Sequence, residues 1–484
     1  MSDTIDIYLG SLEVSKEDIR QSIINKGVTP EGGLTSYAKA IDDIYVPSTG
    51  NASVEYSSNG DYTINPQEYG YDALSGINVN VKVKSSGGSG KPMIPNGFYF
   101  GSGSDIGLVD FSQYDWSLVY DTTMFFAGCK NTVGWDNFEQ HFNGKAMGGY
   151  GMFNNCTNLT TIPQLDTSNV TDMSSMFQQC SNLTTIPQLN TQNVTDMSSM
   201  FHSCKMLTSV PLLDTSNVID MAEMFYYCSK LTTIPLFDTS NVTEMQYMFQ
   251  SCTNLTTIPQ LDTPNVKDMS CMFQQCSSLT TVSLPNTSNV TSMNSMFYNC
   301  KNLTTVSLPN TSNVTSMNSM FYNCSNLTTI PQLDTPNVKD MYSMFDGCNN
   351  LTSIPQLDTS NVTTMQNMFY GCNNLTSIPQ LNTQNVTTMQ NMFNTCSNLT
   401  TVGQLDISKV TNMQSMFYNC SNLTEVRFKG QPTSSLSVSS MFYNIQTTGT
   451  LYYDSRYDYS KIINVKPSNW IAVPYDVEEY ESQL

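Results

Sequence analysis

Twelve of the chain's 14 cysteines fall on one strict period of 24 residues, from Cys156 through Cys180, Cys204 and Cys228 to Cys420. Only Cys129 and Cys271 stand off it. An unbroken period of this length restricts the fold to a stack of one repeated unit, because a unit so short cannot bury its apolar face alone. Other residues keep the same register. Phe177, Phe201 and Phe225 stand three before their cysteines, Met176, Met200 and Met224 precede them, and Leu183, Leu207 and Leu231 stand three after. Two stretches, Leu279 to Cys300 and Leu303 to Cys324, are identical over 22 positions, which marks duplication of a geometric spacer.

Within the unit, LTTIPQL is short and rich in β-branched residues and predicts one strand per coil. DMSSMFQQC places Met173, Met176, Phe177 and Cys180 at i, i+3, i+4 and i+7, the helical spacing, with Asp172 as N-cap. Asp-Thr-Ser-Asn between them is turn chemistry. The fold expected is an α/β solenoid of about twelve coils, each with one short strand and one short helix. Caps are required at both ends, since an open end exposes core and strand edge.

The ladders have structural readings first. Coils are expected to splay on the helical side beyond the Cα separation of about 7 Å that a disulfide tolerates, leaving buried free thiols. The Asn ladder (Asn169, Asn193, Asn217) is read as satisfying turn backbone in the next coil. The Asp or Asn ladder (Asp166, Asn190, Asp214, Asp238, Asp262) suggests calcium only weakly, because Asn286 and Asn310 replace the acid, so turn formation is favoured. Thr161, Thr185, Ser209 and onward to Thr401 form a hydroxyl row on the strand face. It reads as solvated surface, a weak repeated glycan site or an ice-ordering array.

The residues LDTSNVTDMSSMFQQCSNLTTIP resemble the leucine-rich repeats of BspA-type bacterial surface proteins, over residues 150–428. The resemblance implies a leucine-rich-repeat solenoid acting as an extracellular adhesion or recognition scaffold, without catalysis. Near the N-terminus, Asn59-Gly60-Asp61-Tyr62 and the run GINVNVKV ending at Val83 look like the N-terminal modules of bacteriophage fibre and baseplate proteins.

The organisation expected is a helical attachment segment at 1–45, a small β module at 46–84, a flexible linker at 85–97 (SSGGSGKPMIPNG) and an N-terminal cap at 98–150. In that cap a degenerate unit ends at Cys129, with Trp116 and Trp135 nearby. The solenoid follows at 151–428 and a C-terminal cap around Trp470 at 429–484.

Only 12% of the 484 residues are charged, and the net charge of -20 disfavours nucleic acid and anionic membrane. No apolar run reaches the span of a bilayer, and the first twenty residues carry no secretory pattern. His141 and His202 are too few and isolated for most histidine chemistry, so no enzyme activity, cofactor or metal is expected.

Identical coils cannot build a unique site, so recognition is assigned to the run that departs furthest from consensus, residues 202–247. There Leu212 and Leu236 replace an outward Gln, and His202, Lys205, Tyr226, Tyr227, Lys230 and Tyr247 follow in register. The function expected is a non-enzymatic phage virion protein, assembled in the host cytoplasm and displayed on a capsid or tail appendage. Its N-terminal module would hold other virion proteins, and its solenoid would bind a host-surface glycan or protein as a homo-oligomer. A bacterial cell-surface adhesin is the alternative.

Overall fold

The computed structural model describes residues 3–7, 52–56, 82–83, 122–129 and 148–482. These fall into two compact units, the first comprising residues 1–196 and 200–205, the second 197–199 and 206–484. The helical segment expected at 1–45 apart from residues 3–7, the Asn59-Gly60-Asp61-Tyr62 stretch, the linker at 85–97, Trp116, Trp135 and His141 lie outside the described residues. In the first unit, strands β1 (Asp3–Ile7), β2 (Ala52–Tyr56) and β3 (Lys82–Val83) form an antiparallel sheet in the order β2-β1-β3. Strand β1 was not anticipated. Val83, from the alternating run, lies in β3 opposite Ile5.

Both units contain solenoid coils of leucine-rich-repeat type, and the repeat explains their core. Leu159, Leu165, Val170, Met173, Met176, Phe177, Cys180 and Leu183 are all essentially inaccessible, as are their successors every 24 residues, except that Leu284 and Leu308 take the place of Leu165 in the two coils where Pro285 and Pro309 fall in its register. The phenylalanines stack nearly parallel from coil to coil. Centroids are 5.4 Å apart for Phe126–Phe153 and Phe153–Phe177 and 5.5 Å for Phe249–Phe273 and Phe393–Phe417. In the second unit the column ends on Trp470, 5.7 Å from Phe442, whose indole Nε1 donates to Thr447 O.

The strand reading holds where proline permits it. Strands β4 (Thr281–Ser283), β5 (Thr305–Ser307), β6 (Thr401–Asp406) and β7 (Glu425–Lys429) occur in the coils with Ser283, Ser307, Gly403 and Arg427 at the position that elsewhere holds proline. With Pro163, Pro187, Pro331 or Pro355 there, a ladder donor is gone and the segment, though extended in pattern, forms no regular strand. The sheet closing the second unit is parallel throughout, in the order β6-β7-β8-β9. It adds β8 (Gly449–Asp454) and β9 (Trp470–Tyr475), joined by helix α1 (Ser460–Ile463) and followed by α2 (Val477–Glu481).

The helix expected at Asp172 to Cys180 is absent; a chain of overlapping turns stands there. Met176 N, Gln178 N and Cys180 N donate to the carbonyls of Met173, Ser175 and Phe177, three residues back, at 3.0–3.2 Å. The alternate amides point along the stack instead, with Phe177 N donating to Met200 O and Gln179 N to His202 O at 2.9 and 2.7 Å. Ser175 and Gln179 therefore adopt positive φ, 56° and 62°, and the same two positions do so in coil after coil. The apolar spacing i, i+3, i+4, i+7 is met by these turns because they advance about one side-chain row per three to four residues, as a helix does. Asp172 caps no helix. Its Oδ1 accepts from Ser174 N at 2.8 Å, a local turn.

Candidate recognition surface

Each coil spends its polar side chains on its neighbours, and what is left over defines the surface. Buried Thr167 donates to Asn190 O at 2.8 Å and Thr359 to Asn382 O at 2.9 Å, both in the following coil. The Asn ladder binds the preceding coil rather than the next one. Asn193 Nδ2 donates to Ser168 O at 2.8 Å, and Asn241 and Asn313 repeat the bond to Ser216 and Ser288 at 2.7 Å. Asn169 and Asn217 share that register. The Asp ladder closes turns. Asp166, Asp214 and Asp238 each accept from the serine two residues on, and these bonds hold the Asp214 and Asp238 carboxyls below the usual carboxylate range.

The cysteines are free thiols, as expected, but not because the coils splay. Hydrogen bonds join the coils on that side too. Eleven of the twelve ladder thiols, from Cys156 to Cys420 with Cys228 aside, donate to a phenylalanine carbonyl 27 residues earlier, or 30 for Cys156. Cys180 reaches Phe153 O at 3.1 Å in the first unit and Cys300 reaches Phe273 O at 3.0 Å in the second. Burial drives these thiols far above their ordinary pKa, so they stay protonated donors. Cys271 is different. It is half-buried beside Tyr247, its thiol is pushed up by burial to about 11, and φ is +58° there.

Two flanks face outward. On the strand flank the hydroxyls of Thr161, Thr185 and their successors are exposed, while the adjoining threonines turn inward to the stack, Thr184 Oγ1 donating to Thr160 O and Thr304 Oγ1 to Thr280 O, each at 3.1 Å. Beside them runs an amide ladder, in which Gln164 Nε2 reaches Gln188 O at 2.6 Å and Gln356 Nε2 reaches Gln380 O at 2.7 Å. Leu212 and Leu236, each 62% exposed, replace that amide in consecutive coils of the second unit. On the turn flank, Tyr226 and Tyr227 lie 5.9 Å apart and Tyr247 occupies a left-handed position.

The residues read from the sequence as one patch are thus distributed. His202 and Lys205 belong to the first unit; Leu212, Tyr226, Tyr227, Lys230, Leu236 and Tyr247 belong to the second. Within the second unit the leucines sit on the strand flank, and the tyrosines come eleven to fifteen positions later round the coil, on the turn flank. A shared register fixes which coil a residue occupies, and only its position within the unit fixes which flank it faces.

Comparison with known proteins bears on this repeat. A family model described as "Mycoplasma protein of unknown function, DUF285" matches residues 147–254, 205–306, 280–354, 297–375 and 349–452, together well over half of the chain. The chain belongs to the DUF285 family. The search of curated proteins finds no match. Among solved structures, a leucine-rich-repeat protein of Eubacterium ventriosum is similar at 20% identity, over 60% of this chain and 84% of that one, with a TM-score of 0.38. One from Bacteroides ovatus is 17% identical over 65% and 82%, with a TM-score of 0.30. A leucine-rich-repeat protein of Leptospira interrogans is 14% identical over 77% and 94%, with a TM-score of 0.24. The DUF285 match begins at residue 147, so the segment that looks like a phage module lies outside it.

The DUF285 solenoid also presents surface that the patch reading missed. Met206 and Ile219 are 43% and 50% exposed, where the repeat elsewhere favours Asn and Thr. Tyr322 and Tyr370 flank Asp346 in neighbouring coils, with Tyr298 stacked on Tyr322 at 4.4 Å. Burial raises the Asp346 carboxyl to about 6, and its charge in turn raises Tyr322. Column-by-column comparison of the repeats would have shown Met206, Ile219 and Asp346 as departures, while Tyr298, Tyr322 and Tyr370 hold the commonest residue of their column. A groove of about 570 Å³ lies near the C-terminal end, lined by Gln356, Asp358, Gln380, Asn382, Gln384, Gln404, Asp406, Lys429 and Glu481, among others. Its floor is rigid. Gln380 Nε2 donates to Gln404 O at 2.6 Å, Gln404 N returns a bond to Gln380 Oε1 at 3.0 Å, and Gln404 Nε2 reaches the Tyr475 hydroxyl at 2.9 Å. Lys429 pairs with Glu481 of α2 across one wall at 2.7 Å.

Among the described residues no group of three or more His, Cys, Asp or Glu is placed to hold a metal, and no helix is long and apolar enough to cross a membrane.

Proposed function

We propose that this DUF285 protein is a non-catalytic recognition scaffold, whose solenoid binds a cell-surface glycan or protein through many weak contacts made by several copies. The observation that carries this is the strand flank: Leu212 and Leu236 stand 62% exposed in the amide row, whereas the other leucine pair of that column, Leu284 and Leu308, is buried, so folding leaves one apolar feature uncovered there. Weak contacts suffice when copies act together, since effective concentration multiplies them. The resemblance of the repeat to BspA-type surface proteins favours a bacterial cell surface as the place of display. A phage particle is the second reading, favoured by Asn59-Gly60-Asp61-Tyr62 and the run ending at Val83, with the N-terminal module as the attachment to other virion proteins.

Two measurements test this. Antibody labelling of purified particles and of cell envelopes separates the carriers: label on envelopes alone removes the virion, and label on particles alone removes the adhesin. For recognition itself, the double variant Leu212→Asp, Leu236→Asp is expected to fold normally and to bind target cells at least tenfold more weakly. Unchanged adhesion would remove this pair from the contact surface.

A further inference from the structure

We infer that the C-terminal groove is a binding site for an uncharged polyhydroxylated chain, a neutral glycan. This rests on the surface-recognition reading and names a ligand class for a second place on the same scaffold. The groove's volume, about 570 Å³, lies within the range typical of ligand sites, roughly 300–1,000 Å³, and most of the residues that line it carry amides, carboxylates or hydroxyls, set among the apolar carbons of their side chains. Along one side stand Asp358, Asn382 and Asp406, one per coil, so the row advances about 4.8 Å per step.

Each of the three uses one side-chain atom on its own turn. Asp358 Oδ1 accepts from Ser360 N at 3.0 Å, Asn382 Oδ1 from Gln384 N at 3.2 Å and Asp406 Oδ1 from Ser408 N at 2.9 Å. The other atom of each, two carboxylate oxygens and an amide nitrogen, makes no hydrogen bond among the described residues, and Asp358 and Asn382 are exposed. What remains is an acceptor, a donor and an acceptor in line, with orientation fixed by the turns.

A sugar hydroxyl both donates and accepts, so a run of hydroxyls satisfies that row without bringing charge. Charge decides against the acidic alternative, because three carboxylates, Asp358, Asp406 and Glu481, face one ammonium, Lys429, which is already paired. A peptide is less suited. The lining leucines, Leu357 and Leu381, are buried beneath the floor, leaving no pocket for apolar side chains. The floor amides are already bound to one another, so no open strand edge is offered.

The test uses the full-length chain on a printed array of neutral, sialylated and sulfated oligosaccharides, with two variants. Asn382→Asp exchanges the central donor for an acceptor, yet installs the residue already present in the coils on either side, so the turn is kept. Asn286→Asp makes the same change in a coil away from the groove. The expected result is capture by neutral oligosaccharides, at least tenfold weaker for Asn382→Asp and unchanged for Asn286→Asp. A blank array, capture by acidic oligosaccharides alone, or equal loss in both variants would overturn the proposal. If the array is blank while the protein still coats cells, the glycan groove fails and surface recognition stands. Capture on the array without coating of cells is the reverse.

Discussion

Gly371 offers a direct measure of how much the left-handed turns of the coil cost. It sits at φ +69°, in the column that holds Asn299 at +60°, Asn323 at +55°, Gly347 at +74° and Thr395 at +65°. A Cβ built at Gly371 meets nothing closer than 3.7 Å, so Gly371→Ala introduces no clash and the effect read is that of the backbone alone. Holding an L-residue in this region costs about 1–2 kcal/mol. The reduced freedom of alanine in the unfolded chain returns about 0.4–1 kcal/mol. The net expectation is a loss of about 0.5–1 kcal/mol, confined to the coils around the substitution because contacts in a solenoid are between neighbours. Thr395→Gly is the converse. Relief of a β-branched residue outweighs the entropy of glycine and the lost Thr395 Oγ1 bond to Asn394 at 2.8 Å, for a gain of about 0.5 kcal/mol. Hydrogen exchange of the amides of residues 365–372 and 389–396 reads both locally, without requiring the array to unfold in one step. A neutral or stabilising Gly371→Ala would show that the coil does not hold this residue left-handed, and the turn chain would have to be redrawn as helix.

Asp346→Asn tests the half-buried acid. A folded-state value of about 6 against an ordinary 3.8 means the ionised form is disfavoured in the fold, so stability falls as pH rises from about 4 to 6 and stays lower above. The shift is worth about 3 kcal/mol at full weight and about half that after solvent screening, so the variant is expected to gain about 1–1.5 kcal/mol at pH 7 and nothing at pH 3.5 by denaturant titration. A gain independent of pH would sink the assignment. For the thiols, labelling of unfolded protein without reductant is expected to modify all 14 cysteines, while native protein labels at Cys271 ahead of every described ladder cysteine. Missing labels after unfolding would reveal disulfides.

The repeat, its core columns and the solenoid were legible because an unbroken 24-residue register leaves one way to stack Phe177, Cys180 and Leu183 on their copies. The helix was misread for a physical reason. A turn chain with two left-handed residues per coil carries the same apolar spacing as two turns of helix, and the distinguishing signal lay in other columns. Position 179 and its copies hold Asn or Gly in half of the coils, as Asn155, Asn299, Asn323, Gly347, Gly371 and Asn419, residue types that tolerate positive φ and are poor in helix interiors. The strand was overcalled by ignoring one residue. Proline at 163 and its copies removes the donor that a regular ladder needs, and strands return where Ser283, Ser307, Gly403 and Arg427 replace it. The thiols were called free for the wrong cause, since sequence spacing cannot show that Phe carbonyls would be available to accept from them. The groove was invisible because one wall comes from outside the repeat, Lys429 and Glu481, whose approach to the Asp358 row depends on how the closing sheet folds back.

That last dependence bears on where specificity can reside. A ladder of equivalent groups, such as the exposed threonines of the identical coils at 279–300 and 303–324, offers a partner the same contacts after a shift of one coil, so it adds avidity without fixing a register. Discrimination requires something the shift destroys. Two features of the second unit meet that requirement: the exposed Leu212 and Leu236 pair, since the other leucine pair of the column, Leu284 and Leu308, is buried, and the groove, whose α2 wall meets the stack near its C-terminal end. They differ in kind, one apolar and open, the other walled and lined by amides and carboxylates, so under the proposed recognition role they suit different chemistry. A scaffold built this way can exchange its spacer coils freely while its selectivity stays with the interrupted row and the capped end.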